Sequence, residues 1–289
     1  MGIKIILLII FFAVMAAVGI YSRRHVTSVD GFVLGGRSVG PWLTAFAYGT
    51  SYFSAVVFVG YAGQFGWKYG IASTWIGIGN ALIGSLLAWV VLGRRTKVMT
   101  QHLGSRTMPD FFGERYKSKS LKITASLIVF VFLIPYTASV YNGLSRLFAM
   151  AFNIPYTWCV VTMAAFTALY VILGGYMATA INDFIQGIIM LIGIVAVIAA
   201  VLNGQGGFMN AIAEMAKIPS DVPLTQGQPG AFTSFFGPDP VNLLGVVLLT
   251  SLGTWGLPQM IGKFYAIKDE KSISTGTIIS TIFAIIISG

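Results

Sequence analysis

The chain has 289 residues, of which 56% are hydrophobic and 9% are charged, and its mean hydropathy is +0.83. A soluble domain typically carries about 25% charged residues, so this composition excludes one and indicates a protein embedded in a lipid bilayer. The net charge of +9 would suit a nucleic-acid partner, but the basic residues are not arranged for one.

Eight apolar runs predict spans, because they are long enough to cross roughly 30 Å of hydrocarbon. The runs lack two-residue alternation, which favours helices over the strands of a barrel. The first run follows Lys4 and resembles a signal peptide, but seven further spans behind it favour a retained helix. The predicted spans are 3–21, 42–66, 72–93, 123–150, 157–173, 183–203, 242–265 and 272–289.

Most basic residues lie in three connecting segments. Fourteen of the 18 fall in 22–41, 94–122 and 263–271, which share one side of the membrane if the spans alternate. Positively charged loops face the cytoplasm. We therefore expect a multi-pass protein of the cell membrane with an extracellular N-terminus and cytoplasmic basic loops, and no nucleic-acid partner.

The segment 204–241 is rich in Gly and Pro and includes a short amphipathic stretch from Met209 to Ile218. It predicts an extracellular loop with one short surface helix. The chain ends inside the apolar run 272–289. We therefore expect residues 1–289 to form a single membrane domain that is truncated.

Asp183 is the one acidic residue of the nine that falls where a bilayer core is expected, between two long apolar stretches. A carboxylate at that depth costs a few kcal/mol, about 2.5 or more, and usually faces a wet interior where it handles an ion. The alternative is that Asp183 only caps the next helix.

Two of the predicted spans contain interruptions, at 47–54 and at 251–259, where Gly, Ser, Thr and Pro are concentrated. Unwound backbone leaves carbonyl oxygens available, and these suit a hard cation such as Na⁺. Close helix packing through small residues is the alternative explanation. Five spans separate the starts of the two broken spans, as expected for a five-helix repeat unit that opens on a broken helix.

Aromatic side chains near the two breaks predict a solute pocket. Tyr52, Tyr136 and Trp255 fall at mid-span, where a place in the aromatic belt of the membrane interface is less natural.

The single cysteine, Cys159, excludes an intrachain disulfide, and the sequence offers no cluster of metal ligands, so Na⁺ is the only metal ion expected.

Four segments in order resemble the sodium:solute symporter family: 30–40, 107–112, 174–186 and 256–264. The resemblance covers nearly the whole chain. It implies an all-α polytopic membrane protein, the N-terminal portion of a five-plus-five inverted-repeat transporter fold preceded by one extra helix. It also implies sodium-driven symport of a small solute by alternating access, with Na⁺ as coupling ion. The family's eighth helix, which normally supplies hydroxyl ligands to sodium, lies beyond this sequence.

Carried over position by position, the resemblance places sodium at backbone carbonyls near Thr50 and Phe53. It makes Asp183 either the acidic residue on the sodium route or part of a second cation site that some members use. The solute-binding residues that we predict from the resemblance and the aromatic cluster are Tyr52, Ser54, Trp75, Tyr136, Trp255, Gly256 and Gln259.

The solute class is predicted from departures within the family. Proline-carrying members have an aspartate where this chain has Tyr52. Sugar-carrying members have polar residues where it has Thr74, Val57 and Pro258. A site built for sugar hydroxyls could not lose those partners without a large penalty. A sugar is therefore disfavoured, and a small carboxylate-bearing solute is expected.

Two other classes compete with the symporter prediction. A non-transporting sensor, scaffold or channel on the same fold remains open. An intramembrane enzyme is disfavoured, because an aspartyl protease needs two carboxylates at membrane depth and this chain offers one. The sequence leaves the oligomeric state open.

Overall fold

The structure is a computed structural model that describes residues 2–54 and 61–288. These residues form helices and connecting turns, and within them the only β-pairing is an isolated parallel bridge between Val39 and Ile267. Residues 55–60 of the predicted span 42–66 lie outside the described part.

Twelve helices are used below, with short 3₁₀ turns between some of them. α5 covers 74–102 and includes two π-helical stretches, Asn80–Leu87 and Trp89–Gly93. The other helices are α1 Gly2–Ser22, α2 Val29–Leu34, α3 Pro41–Tyr52, α4 Gly63–Tyr69, α6 Met108–Tyr116, α7 Lys119–Phe152, α8 Tyr156–Gly204, α9 Phe208–Ala216, α10 Pro240–Leu252, α11 Pro258–Ala266 and α12 Glu270–Ser288.

Local sequence accounts for many of the helix starts. A side-chain oxygen accepts a hydrogen bond from a backbone N–H in the first turn of α2, α6, α7 and α10, which satisfies one donor that the helix itself leaves unpaired. The backbone N–H and hydroxyl of Ser272 likewise hold the pKa of the Asp269 carboxyl below its ordinary value at the start of α12. The capping residues of α2, α6, α7 and α10 are Ser28, Thr107, Ser118 and Asp239, respectively.

Five helical stretches of the described chain are long and apolar enough to cross a membrane. The bent pair Pro240–Gly256 and Pro258–Ala266, which meet at 51°, makes a sixth if it counts as one span. The protein is therefore a multi-pass membrane protein. The five stretches are Gly2–Ser22, Gly63–His102, Lys119–Phe152, Tyr156–Gly204 and Glu270–Ser288.

The predicted spans 157–173 and 183–203 lie in one helical run, α8, which is 49 residues long. A kink at Gly175 (φ 54°, ψ −147°) divides this run, a backbone conformation that glycine adopts at little cost. Helical backbone resumes directly after the kink and continues to Gly204. Asp183 therefore lies inside a helix, and the alternative that it caps a helix start is wrong.

The interior between α3, α5, α11 and α12 is packed with aromatic rings. Trp89 and Phe264 meet edge to face at 5.1 Å between ring centroids, and Phe46 and Phe283 do so at 5.2 Å. All four residues are buried. Such pairs add stability through their geometry as well as their contact area. This packing holds α5 against α11 and α3 against α12.

The three basic segments are joined at one end of the molecule. Arg106 Nε lies 2.6 Å from Asp30 Oδ1, and the N–H of Lys268 donates to the carbonyl of Val39 at 2.9 Å. The segment 204–241 lies at a different place, where the indole N–H of Trp75 donates to the carbonyl of Phe235 at 2.9 Å.

Candidate functional site

A cavity of about 540 Å³ lies where α3 ends and where α10 gives way to α11. α3 stops at Tyr52, and Phe53 already has non-helical backbone angles. α10 stops at Leu252, a 3₁₀ turn covers Gly253–Gly256, and Leu257 is extended before α11 begins. The residues lining the cavity are Ser51, Tyr52, Phe53, Ser54, Tyr61, Ala62, Phe65, Ser73, Thr74, Ile76, Gly77, Asn80, Tyr136, Ile194, Val246, Leu249, Thr250, Gly253, Thr254, Leu257, Met260, Ile287 and Ser288.

Asn80 is the centre of a hydrogen-bond network in this cavity. Its Oδ1 lies 3.1 Å from Tyr52 Oη, 3.0 Å from Thr250 Oγ1 and 3.2 Å from Ser251 Oγ. The Tyr52 hydroxyl also lies 3.0 Å from the carbonyl of Thr250. Uncharged donors and acceptors from α3, α5 and α10 therefore meet at one point, and Tyr52, Asn80 and Thr250 line the cavity.

Gly84 allows the Tyr52 ring to reach Asn80. A Cβ on Gly84 would collide with the Tyr52 hydroxyl. The carbonyl of Gly84 accepts a hydrogen bond from Tyr48 Oη at 2.9 Å. Gly84 and Asn80 belong to the π-helical stretch Asn80–Leu87, and π-helical turns recur at functional sites. The absence of a side chain at Gly84 thus shapes the network.

A buried ion pair lies next to this cavity. Lys263 Nζ donates to Asp183 Oδ2 at 3.3 Å, and the two side chains are 9% and 22% exposed. The ammonium also lies 5.4 Å from the ring centroid of Tyr176, a cation–π distance. Lys263 belongs to the basic segment 263–271, which is predicted to be a loop, whereas the structure buries Lys263 in α11.

The ion pair lies one helical turn from the cavity along α11, and one helical turn along α8 from the point where α8 approaches the end of α3. On α11, Met260 lines the cavity and Lys263 follows three residues later, on the same face. On α8, a Cβ on Gly187 would lie 3.2 Å from Thr50 Cγ2, so α8 approaches the end of α3 there. Asp183 precedes Gly187 by four residues, which is about 6 Å along a helix.

The residues predicted to bind sodium are brought into one region. Thr50 lies in the last turn of α3, where a carbonyl oxygen no longer finds a donor in the helix itself, and Phe53 follows just beyond the helix end. The Thr50 hydroxyl donates to the carbonyl of Phe46 at 2.9 Å, so the side chain is engaged. Asp183 is held by Lys263.

The residues predicted to bind the solute divide into two groups. Tyr52, Ser54 and Tyr136 line the cavity. The other four residues are not among its lining. The Trp255 indole donates to the carbonyl of Ile83 at 3.1 Å, and Trp75 donates to Phe235.

Gly256 lines a second, apolar cavity of about 520 Å³, which shares Tyr136 and Leu257 with the first. Gln259 has both polar side-chain atoms buried without a hydrogen-bond partner in the described part of the protein.

Sequence reasoning missed Asn80, Thr250 and Lys263. An Asn within an apolar run, as in Ile78-Gly79-Asn80-Ala81-Leu82, was an available signal, because a polar side chain at that depth requires partners. Lys263 could have been found in the same way, as the basic counterpart of the single deep carboxylate. Among the described residues, no group of His, Cys, Asp and Glu could hold a metal ion.

Together, the multi-pass helical fold and a cavity with a polar network in its wall, located where α3 ends and where the chain bends between α10 and α11, are typical of secondary transporters. The sequence model of the sodium:solute symporter family matches residues 32–289. The chain therefore belongs to the sodium:solute symporter family. Because the family consists of symporters, the prediction that the chain is not an enzyme is confirmed.

Sodium/proline symporters of Staphylococcus aureus, from strains JH9 and NCTC 8325 among others, are 33% identical to the chain over 276 residues. The alignment covers 93% of this chain and 51% of those proteins, so the chain spans about half the length of the curated relatives it matches.

A solved structure described as the substrate-bound outward-open state of a Na⁺-coupled sialic acid symporter with a novel Na⁺ site is also similar. It superimposes with a TM-score of 0.71 at 18% sequence identity, covering 96% of this chain and 57% of that one. At this identity the likeness shows the fold alone. It confirms the predicted fold class.

Proposed function

We propose that this protein is a Na⁺-coupled secondary active symporter that imports a small carboxylate-bearing solute by alternating access. The observation that carries the proposal is the cavity between the end of α3 and the bend between α10 and α11, with the Asn80 network in its wall. Curated relatives are named sodium/proline symporters, so an amino acid such as proline is the first candidate solute.

We assign sodium to the carbonyl groups of Thr50 and Phe53, with Asp183 on the route of the ion. The support is positional. Thr50 belongs to the last turn of α3, where carbonyl oxygens are available, and α8 approaches it one turn from Asp183. Carbonyl oxygens at the interruption of a membrane helix suit a desolvated hard cation.

We assign the solute to the cavity lined by Tyr52, Ser54 and Tyr136, with Asn80 and Thr250 added from the structure. The solute-binding role of the other four residues stays a prediction from the sequence. These residues are Trp75, Trp255, Gly256 and Gln259. α11 begins at Pro258 beside the cavity, and N–H groups at a helix start attract anions. A short carboxylate fits this arrangement. A polyhydroxylated sugar does not, because the lining is mainly apolar.

Uptake measurements test this function in the protein as its gene encodes it, reconstituted in liposomes. Proline, other amino acids, monocarboxylates and hexoses are each offered with an inward sodium gradient and with an equal choline gradient. We expect sodium-dependent uptake of a carboxylate-bearing solute. Sodium-dependent uptake of a hexose alone would contradict the solute class, and uptake that ignores sodium would contradict symport.

Asn80→Asp tests the position of the solute carboxylate. The substitution keeps an accepting oxygen for Tyr52 and Thr250 but places a negative charge in the cavity wall. A carboxylate solute should lose at least about 10-fold in apparent affinity, since like charges oppose each other in a cavity of low dielectric constant. An unchanged affinity would place the carboxylate elsewhere.

We also propose that the N-terminus is extracellular and that the basic segments are cytoplasmic. The support is the basic bias together with the contacts that join 30–40, 94–106 and 263–270 at one end of the molecule.

Ser120 and Gln205 are exposed. In a Cys159→Ala background, Ser120→Cys and Gln205→Cys should react with a membrane-impermeant thiol reagent from opposite sides. Labelling from the same side would contradict the topology.

A further inference from the structure

We propose that the Lys263 ammonium is a built-in counter-ion of Asp183. It occupies the place of a second sodium ion until sodium displaces it. This inference rests on the proposed function, because it concerns how many sodium ions the symporter binds. It assigns to Lys263 a role in coupling that the carboxylate alone does not suggest.

The first support is the burial of the pair. Lys263 and Asp183 lie 3.3 Å apart, and the lysine side chain is 9% exposed. Buried charges are retained in proteins where each has a partner. The carboxylate therefore already has its cation, and a sodium ion can bind Asp183 only by exchange with the ammonium.

The second support is the position of the pair. It lies one turn beyond Met260, which lines the cavity, and one turn from the approach of Gly187 to Thr50. An ion that leaves the end of α3 along α8 toward the basic end of the molecule meets Asp183 within about one helical turn. Exchange at Asp183 would then link ion movement to the contact between α8 and α11.

The third support is that the displaced ammonium has somewhere to go. Gln259 precedes Lys263 by four residues, so both side chains lie on the same face of α11. Gln259 Oε1 is buried and has no hydrogen-bond partner among the described residues. The Tyr176 ring, 5.4 Å from the ammonium, provides a second favourable contact. A polar oxygen and an aromatic face are therefore within reach of the ammonium once sodium has taken its place at Asp183.

Equilibrium binding of radioactive sodium to the purified, full-length protein tests the inference. Lys263→Met removes the ammonium and leaves Asp183 free to hold an ion, so this variant should bind about one more sodium ion per protein than the wild type. The Hill coefficient for sodium-driven uptake should also rise, since it can approach the number of coupled sites. Lys263→Arg should keep the wild-type number.

Two further variants complete the design. Asp183→Asn/Lys263→Met removes both charges and should lose the additional ion. Lys217→Met is the matched control, because Lys217 pairs with Glu214 in an exposed position where the two side chains are 68% and 63% exposed. It should bind sodium as the wild type does.

A folded Lys263→Met protein that binds the same number of sodium ions as the wild type would overturn the inference. Recovery of folded Lys263→Met protein in sodium buffer but not in choline buffer would support the inference. Failure of this variant to fold in both buffers would count against the inference. If the wild type shows no sodium-driven uptake, the proposed function fails. A gain of one bound ion in Lys263→Met would still support the role of Lys263.

Discussion

The cavity network around Asn80 and the ion pair of Asp183 with Lys263 both place polar atoms among apolar helices, but their chemistry differs. The network uses uncharged hydroxyl and amide groups and lines an open cavity. The ion pair uses full charges and is largely enclosed. Neutral groups can remain available to a solute, whereas buried charges must hold each other.

Asp183→Ala should have the largest effect, because it leaves the Lys263 ammonium buried without its carboxylate. Breaking one partner of a buried ion pair typically costs about 3–5 kcal/mol. Thermal unfolding in detergent should show a clear fall in the midpoint. Glu214→Ala, in the exposed pair with Lys217, is the control and should unfold at the wild-type temperature. Equal midpoints for both variants would remove the distinction between the two kinds of polar contact.

Gly84→Ala should come next, because the new methyl group collides with the Tyr52 hydroxyl. Overpacking of this kind costs about 1–3 kcal/mol. The variant should unfold at a lower temperature and bind the solute more weakly, since Tyr52 must move away from Asn80. Gly245 has open space around it, so Gly245→Ala should be neutral or stabilising. Wild-type behaviour of Gly84→Ala would show that the network is loosely held.

Tyr52→Phe and Tyr48→Phe form a matched pair. Each removes one hydroxyl, and a hydrogen bond is worth about 0.5–1.5 kcal/mol to stability. Tyr52 lines the cavity, whereas Tyr48 donates to the carbonyl of Gly84 and is buried outside the lining.

Only Tyr52→Phe should raise the half-saturating solute concentration in uptake assays, by about 2- to 10-fold. The reverse pattern would move the solute away from Tyr52.

Trp255→Phe should have the smallest effect. It keeps an aromatic ring but loses the hydrogen bond to the carbonyl of Ile83, worth about 1 kcal/mol. Because Trp255 is not among the residues lining the cavity, solute affinity in uptake assays should change by less than about 2-fold. A tenfold loss of affinity, about 1.4 kcal/mol, would support the sequence-based prediction that Trp255 binds the solute, although Trp255 lies outside the cavity lining.

The sequence alone was sufficient for the class of protein and for much of the fold. Apolar runs of membrane-spanning length follow from local composition, and a helix of that kind needs no partner to satisfy its backbone. The interruption at 251–259 is encoded by Gly253, Gly256 and Pro258, and the structure bends the chain between α10 and α11 there. These features depend on neighbours in sequence, so the sequence determines them.

The tertiary structure decided which polar groups meet. Lys263 lies 80 residues from Asp183, and Thr250 lies 170 residues from Asn80. The local sequence predicts that Asp183 either caps a helix or binds an ion, and that Lys263 lies in a basic loop. Neither pattern contains the packing of α8 against α11. A polar group buried among helices takes the partner that the packing brings within reach, because the desolvation of each group is offset only by contacts that the fold supplies.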